Sequence, residues 1–576
     1  MIDSRTAAHV LTRIAAYLEL AGESSFKCRA YLGAAKALRA LDADDLAPLY
    51  ASGELRSVRG LGPATLSVVR DLVETGESRY LEQLRESTPE GLLDMLAVAG
   101  MTPARIHQVH EELHIETVEQ LEAAARDGTL GKLKKVGPKT AAKILDGIAA
   151  ARKHGSLRLY HHVLIEARQL LAAVASHPSV LRAELSGDLR RRAEVVGRID
   201  IVAACSDDPA AVMRSFARVP GVRSAEESGT SVSIHFVDGA HLRLTCVEPV
   251  RFGAALWRTT GNDAHVAGVT ERLLARGVAV SDDSLHGERG AIVPTPEEHE
   301  VYAAAGLAVV PPELREGFDE VDAAADGRLP ALLTDGDIRG VLHCHSNYSD
   351  GKESIAAMAR AAQTRGWSYI GITDHSQAAF YAGGLTRERV LEQHDEIDAV
   401  NATLSGIRVL KGIEADILAD GQLDYDDDLL DRFEFVVGSI HSRFTMDRET
   451  MTARVLRALD DPHLTILAHP TGRLLLGRSG YALDIDAVLE KAAANGVAVE
   501  LNADPHRLDL DWRHLRRAKS LGVPIEIGPD AHSATGLDNV AFGVGIARKG
   551  WLEAADVLNT RDASGILEFA RRRRGS

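Results

Sequence analysis

Two histidines, His343 and His345, lie two residues apart in the apolar run IRGVLHCH, and the two-residue repeat of a β-strand would project both imidazoles from one face. Such a pair alone is as consistent with a structural role as with metal binding. Repetition makes the difference. His375, Glu414, His441, His469 and the pair Asp530 and His532 each close a short apolar run, and Asp350 falls in the loop after the first. Any one of these histidines could be a satisfied buried residue, but the whole set in matching positions could not. Nine such donors could hold two or three divalent ions. Mixed imidazole and carboxylate donors suit Zn(II), Mn(II) or Fe(II) better than Mg(II), which prefers oxygen alone. Closely spaced cations lower the pKa of water and stabilise entering and leaving oxygens, so this set suits phosphate-ester hydrolysis.

The runs that position these donors are IRGVLHCH, YIGITDH, VLKGIEADI, FVVGSIH, LTILAHP, VAVELNA and PIEIGPDAH, each followed by a helical stretch. Seven strand–helix units predict a (β/α) barrel one unit short of eight, whose strands gather their C-terminal ends on one catalytic face. The pattern differs upstream. Residues 1 to 150 carry apolar residues at spacings of three and four, as in VLTRIAAYLEL, and predict short helices. From residue 160, RIDIVAAC, SVSIHFV and HLRLTCVEP predict the strands of an α+β unit. Gly, Pro and Asp collect between 310 and 337 and mark a linker. The expected domains are 1–80, 81–155, 156–250, 251–325, a linker over 326–336, and 337–565. The run Arg571 to Arg574 is expected to be a solvated tail, with a phosphate contact as the alternative.

At 576 residues the chain exceeds one hydrophobic core, and 45% apolar with 26% charged residues describes a soluble multidomain protein. No apolar run approaches the roughly 20 residues of a membrane span. MIDSRTAAHVLTR lacks the apolar centre of an export signal, so cytoplasmic residence is expected. Cys28, Cys205, Cys246 and Cys344 show no CxxC spacing, which predicts reduced thiols. A net charge of -17 is unusual for a protein that touches DNA, yet the excess acid lies after residue 250 and the preceding chain is nearly neutral.

HCHSNYSDG, ITDHS, GIEADILADGQLDY, SIHS, HPTGRLL, ELNADPHRLDL and DAH resemble the PHP (polymerase and histidinol phosphatase) domain over 337 to 560. The resemblance implies a trinuclear Mn(II) or Zn(II) site with Glu414 as bridging carboxylate, His345 and Asp530 as catalytic ligands, and in-line attack of water on phosphorus. Arg473 and Arg507 are candidate phosphate clamps, since a planar guanidinium can bind two oxygens at once. Surface ion pairing fits either arginine equally well.

In LRSVRGLGPATLSVVRDL, Gly60, Leu61 and Gly62 separate two short helices. Such a hairpin can offer backbone N–H groups to a DNA phosphate with little side-chain charge, although a plain helix-capping turn reads the same way. A second copy, KKVGPKTAAKIL, contains Val136, Gly137 and Lys139, and VAGMTPARI is a degenerate third. With FKCRAYLGAAKAL ahead of it, the first hairpin resembles the small N-terminal domain of family X DNA polymerases. Members with lyase activity use a hairpin lysine, and Ala64 to Arg70 contains none; Lys27 is a candidate phosphate contact.

SGDLRRRAEVVGRID resembles the family X palm motif. Gly187, Arg190, Arg191, Glu194, Gly197 and Asp200 match it, while Asp188 stands at the motif serine, Arg198 at the first metal aspartate and His241 at the third carboxylate. Arg258 and Thr259 replace a Tyr-Phe pair, and VYAAAGLAVVPPELREG resembles the thumb. The resemblance implies a multidomain architecture: an N-terminal α domain with helix-hairpin-helix motifs, an α+β palm and thumb, and a distorted (β/α)7 PHP barrel. It further implies a monomeric DNA repair enzyme acting on gapped, nicked or 3′-ended DNA without a membrane, as a 3′–5′ exonuclease with abasic-site or 3′-phosphate processing, while the departures at Asp188, Arg198, His241, Arg258 and Thr259 predict that polymerase activity is lost. A histidinol phosphatase-like monoesterase would have no use for hairpins and a thumb. A non-catalytic DNA scaffold would have shed metal ligands, and none is missing.

Overall fold

The computed structural model describes residues 2–575 other than 3, 42, 44, 77, 87, 90, 93, 94, 96, 97, 99, 134, 135, 155, 156, 220, 237, 238 and 282. The chain divides into two units, 1–155 and 156–576.

In the first unit, glycine and proline build the hairpins. Gly60 takes φ +107°, a region side chains rarely enter, and turns the chain into helix Pro63–Thr75. Pro63 opens that helix where its missing N–H costs nothing. The arrangement recurs at Gly100, φ +95°, before helix Pro103–Leu113, which Thr102 caps by accepting from Arg105 N. Gly137 precedes helix Pro138–His154. Helices Ser4–Leu20, Ser25–Leu41 and Pro63–Thr75 close on Leu11, Ile14, Leu18, Leu38 and Val69. Ile106, Val109, Leu121 and Ile144 fill a second small core.

The second unit begins with helix Tyr160–Ala175, packed on a five-stranded sheet. Its strands are β1 (Val180–Ser186), β2 (Ile199–Cys205), β3 (Val222–Ser228), β4 (Ser231–Phe236) and β5 (His241–Val247), in the order β1-β2-β5-β4-β3. β2 and β5 run parallel, and the other pairs are antiparallel. β2 is buried along its whole length, which is why it reads as an apolar run apart from Asp200. Helices Phe252–Thr260, Asp263–Ala275 and Glu298–Ala305 follow, around Trp257, Val269 and Tyr302. Glu298 bonds Arg190 at 2.7 and 2.9 Å and also pairs with the fully buried Arg315. Burial opposes its charge, but the two guanidinium groups hold Glu298 down at about 2.

Seven parallel strands in chain order form the C-terminal barrel: β6 (Gly340–Val341), β7 (Tyr369–Ile372), β8 (Arg408–Asp416), β9 (Phe435–Ser439), β10 (Leu464–Leu467), β11 (Ala498–Asn502) and β12 (Ile525–Gly528). The first strand is shorter than its apolar run. Beyond Val341 the extended chain passes its hydrogen bonds to Thr373 and Ala531. His345 N donates to Ala531 O at 2.9 Å and Ala531 N to His343 O at 3.3 Å, which nearly closes the ring.

Two expectations need correction. The linker is no loose tether: Leu333 is fully buried, its N–H donates to Leu552 O at 3.0 Å, and Arg548 donates to its carbonyl at 2.9 Å. The arginine run is solvated only in part: Arg571 and Arg572 are exposed, whereas Arg573 and Arg574 are half-buried. It ends helix Ala563–Arg574, and Arg573 donates to the carbonyls of Leu459 and Asp461, both at 2.7 Å. Those are orphan acceptors at a helix C-terminus, which a guanidinium satisfies. All four cysteines are buried and free, and among the described residues no helix is long and apolar enough to cross a membrane.

Candidate metal centre

Each barrel strand delivers a polar residue at or just past its C-terminal end, where the next turn leaves the wall. His343 and His345 follow β6, His375 follows β7, Glu414 lies in β8, His441 follows β9, His469 follows β10, and Asp530 and His532 follow β12. Three carboxylates organise them. Glu414 Oε1 is 3.2 Å from His469 Nε2, 3.3 Å from His441 Nε2 and 3.6 Å from His343 Nε2; Oε2 is 2.9 Å from His375 Nδ1 and 3.6 Å from His345 Nε2. Asp530 Oδ1 is 3.3 Å from His345 Nε2, 3.7 Å from His343 Nε2 and 3.7 Å from His532 Nδ1. Asp350 Oδ1 is 3.3 Å from His532 Nε2, 3.7 Å from His375 Nε2 and 3.9 Å from His345 Nδ1. All nine predicted donors thus meet in one place.

A purely structural network would satisfy its own buried atoms, and this one does not. His343 Nε2, both ring nitrogens of His345, His375 Nδ1, His469 Nδ1 and Glu414 Oε2 are buried without a hydrogen-bond partner. His375 Nδ1 and Glu414 Oε2 remain in that set although 2.9 Å apart, because they are close without hydrogen-bonding alignment. Orphaned donor atoms of this kind fit divalent cations. Burial, with His375 and His532 alongside, pushes His345 down to about 4. At His375 the charges of Glu414 and Asp350 overcome burial and lift it to about 10. Two donors sit on strained backbone, His469 at φ +25° and Asp530 at φ +48°.

The residues that aim the donors escaped sequence reasoning. Glu500 Oε1 accepts from His343 Nδ1 at 2.6 Å, and its other oxygen accepts from His469 N. Asp416 holds His441 Nδ1 at 2.8 Å. Asp374 accepts from Ser346, Ser349 and Gln393 beneath the first loop. Carboxylates that grip one imidazole nitrogen fix the tautomer and leave the other nitrogen for a metal. Glu500 and Asp374 stand in the quoted runs VAVELNA and ITDH, so their position within those runs was the available signal.

Arg473 does not face the cluster freely. Its guanidinium is committed to Glu194, Asp511 and the carbonyls of Arg507 and Leu508, so it is a poor phosphate clamp. Arg507 Nε, 3.7 Å from Asp530 Oδ2, lies beside the site.

A cleft of about 830 Å³ lies at the palm, lined by Asp188, Arg191, Arg198, Asp200, Arg243 and Arg258 among others. Asp200, the surviving motif carboxylate, is held by Arg198 Nε at 3.0 Å and Arg243 Nε at 2.6 Å. Arg243 faces it because β2 and β5 pair Asp200 with Arg243. His241 instead pairs with Ser233 Oγ at 2.8 Å and stacks on His235 at 4.0 Å. Arg191 is taken up by Asp188 and Glu316, and Arg258 bonds Asp283 at 2.8 Å. Thr259 also lines the cleft, and its hydroxyl donates to Ala255 O, one turn back in its own helix, at 2.7 Å.

In the first hairpin Leu61 points into the core, and the amides of Leu61 and Gly62 are spent on Val58 O and Thr65 Oγ1. The first turn of helix Pro63–Thr75 follows directly on these amides. Val136 is likewise buried, while Gly137 and Lys139 are exposed; Lys134, Lys135 and Ala99 of the other hairpins lie outside the described residues. Lys27 pairs with Glu23 at 2.8 Å.

Residues 342–504 match the family described as PHP domain, although β12 and the donors Asp530 and His532 lie beyond that match. Residues 4–78 match a helix-hairpin-helix domain, 92–150 a SAM-like helix-hairpin-helix tandem, and 255–316 the DNA polymerase beta thumb. The DNA polymerase/3′-5′ exonuclease PolX of Bacillus subtilis is 37% identical over 98% of this chain and 98% of its own length. A probable phosphatase of Syntrophotalea carbinolica is 27% identical over 40% of this chain and 94% of its own, and one of Acetivibrio thermocellus 30% identical over 31% and 73%.

Proposed function

The chain belongs to the PolX family, the family X DNA polymerases that carry a PHP domain, and from that membership we propose that it removes nucleotides from DNA 3′ ends by hydrolysis in the barrel. The observation that carries this reading is the convergence of three carboxylates and six imidazoles with orphaned buried atoms. Divalent ions bound there, two or three of Mn(II) or Zn(II), would activate water and neutralise phosphate charge. Glu414, within reach of five imidazoles, would bridge them, with His345 and Asp530 as primary ligands. Arg507 would engage a non-bridging phosphate oxygen. One barrel supplies every donor, so a cytoplasmic monomer suffices. The hairpins' helix N-termini would hold the backbone of gapped, nicked or 3′-ended DNA in a nearly neutral segment.

At the rim, Phe380 and Tyr381 are 84% and 62% exposed, and the Tyr381 ring lies 6.4 Å from His441. Large apolar rings left in solvent beside a phosphoesterase centre suit stacking of an unpaired terminal base. A Phe380→Ala/Tyr381→Ala variant should show a KM for frayed 3′ ends raised roughly tenfold or more, since stacking contributes about 1–3 kcal/mol per base. An unchanged KM would remove these rings from substrate binding.

The phosphatase relatives favour a second reading in which the barrel also takes phosphomonoesters, such as a DNA 3′-phosphate. An end-labelled primer-template with Mn(II), beside p-nitrophenyl phosphate, separates the two. Stepwise shortening from the 3′ end is expected. Cleavage of the small ester with DNA left intact would defeat the exonuclease reading.

A further inference from the structure

Away from the barrel mouth, a second group of imidazoles has come together from two distant parts of the chain. His161 and His162 open helix Tyr160–Ala175, and His506 lies in the loop 503–511 that follows β11. One ring nitrogen from each lies within 4.8 Å of the others. The His161 ring is 4.0 Å from His162 and 4.8 Å from His506, centre to centre. Tyr160 and His161 rest on Phe542 at 6.1 and 6.2 Å, so the helix end is seated against the barrel.

Two independent details point to a ligand. Among the described residues, His161 Nδ1 is buried without a hydrogen-bond partner. His506 Nδ1 is held by Asp504 Oδ1 at 2.9 Å, which commits that nitrogen and leaves Nε2 available. A carboxylate gripping the far nitrogen is the arrangement that orients metal-ligating histidines. Among the described residues, Asp504 is the one acid hydrogen-bonded to these rings, and it serves as the orienting partner.

We propose that His161, His162 and His506 form a separate site for one transition-metal cation of the Zn(II) class, with the fourth position open to solvent. A tetrahedral ion with Zn–N bonds near 2.0–2.1 Å needs ligand nitrogens about 3.3 Å apart, a closure that side-chain rotation of the solvent-facing His162 and His506 supplies. The ion would staple the palm helix to loop 503–511. That loop also carries Arg507, whose Nε is 3.7 Å from Asp530 Oδ2. Metal at the seam would therefore steady the guanidinium that borders the hydrolytic centre, without entering that centre.

The test compares the full chain with its His506→Gln and His161→Gln variants, each also in a Glu414→Ala background. Protein is stripped with chelator, reloaded with Zn(II), passed through gel filtration and assayed for bound metal. His506 is largely exposed, and the glutamine preserves bulk, so circular dichroism should be unchanged. One zinc equivalent should disappear from either histidine variant in both backgrounds. Reloading with Co(II) should remove one tetrahedral chromophore in parallel. Equal metal content with and without His506, or loss of the seam metal during gel filtration of the parent protein, would overturn the proposal.

Discussion

Glu414→Ala should lower DNA 3′-end hydrolysis by roughly 10³-fold or more, because a bridging carboxylate underlies several kcal/mol of transition-state stabilisation. Both of its oxygens lie within 3.6 Å of imidazole nitrogens, five residues in all. Without it, ions on opposite sides of the cluster lose their shared anion and repel one another. The barrel should stay folded, since its packing rests on residues such as Ile413, Val436 and Leu501 that the substitution leaves alone. Glu414→Gln separates charge from shape: the amide keeps the volume and should be nearly as inactive. His345→Ala should behave likewise, as His345 Nε2 approaches both Glu414 and Asp530. Rates are read on an end-labelled duplex with Mn(II), with bound metal counted in the same preparations. Retention of a tenth or more of parental activity by Glu414→Ala, with metal content intact, would show that Glu414 bridges nothing.

No template-directed primer extension is expected from the same Glu414→Ala protein, in which degradation cannot mask synthesis. Nucleotidyl transfer needs two cations held by carboxylates around the reacting oxygens. Here Asp200 is already neutralised by Arg198 and Arg243. A guanidinium about 4 Å from a cation costs on the order of 4 kcal/mol at an effective dielectric near 20. Arg198 is 41% exposed, so solvent reduces its share; Arg243 at 31% is more sheltered. Restoring aspartate at 198 and 241 should recover little, because Arg243 would still occupy Asp200 and Arg258 remains tied to Asp283. Extension with Mg(II) or Mn(II) at a rate comparable to polymerising relatives would refute the loss.

The barrel and its nine donors were readable in the sequence because all but Asp350, which lies in the first loop, fall at or near the end of an apolar run, and strand ends in a barrel have only one place to go. The helical first unit was equally plain from its spacing. What spacing could not reveal were pairings across long separations. Arg473 looked like a phosphate ligand until Glu194, 279 positions earlier, appeared on its guanidinium. Arg243 looked like part of an ordinary strand, and only the register of β2 against β5 places it on Asp200. Glu500 is unremarkable in VAVELNA until His343 and His469 arrive beside it. Composition marked a linker over 326–336, but could not show that Leu333 within it is anchored by partners more than 200 residues away.

The join between palm and barrel is built largely from residues of the palm motif and its surroundings. Glu194 accepts from Arg473 and Arg513, the carbonyl of Arg191 takes Lys549 Nζ at 3.1 Å, and Asp319 receives Arg516 at 2.6 and 2.9 Å. Positions that match the palm motif thus also work as mortar, so their persistence reports assembly as well as chemistry. Separating the barrel at residue 337 would break each of these pairs. Cut there, it would carry away basic side chains whose acidic partners are left behind, exposing Arg473, Arg513, Arg516 and Lys549 to solvent.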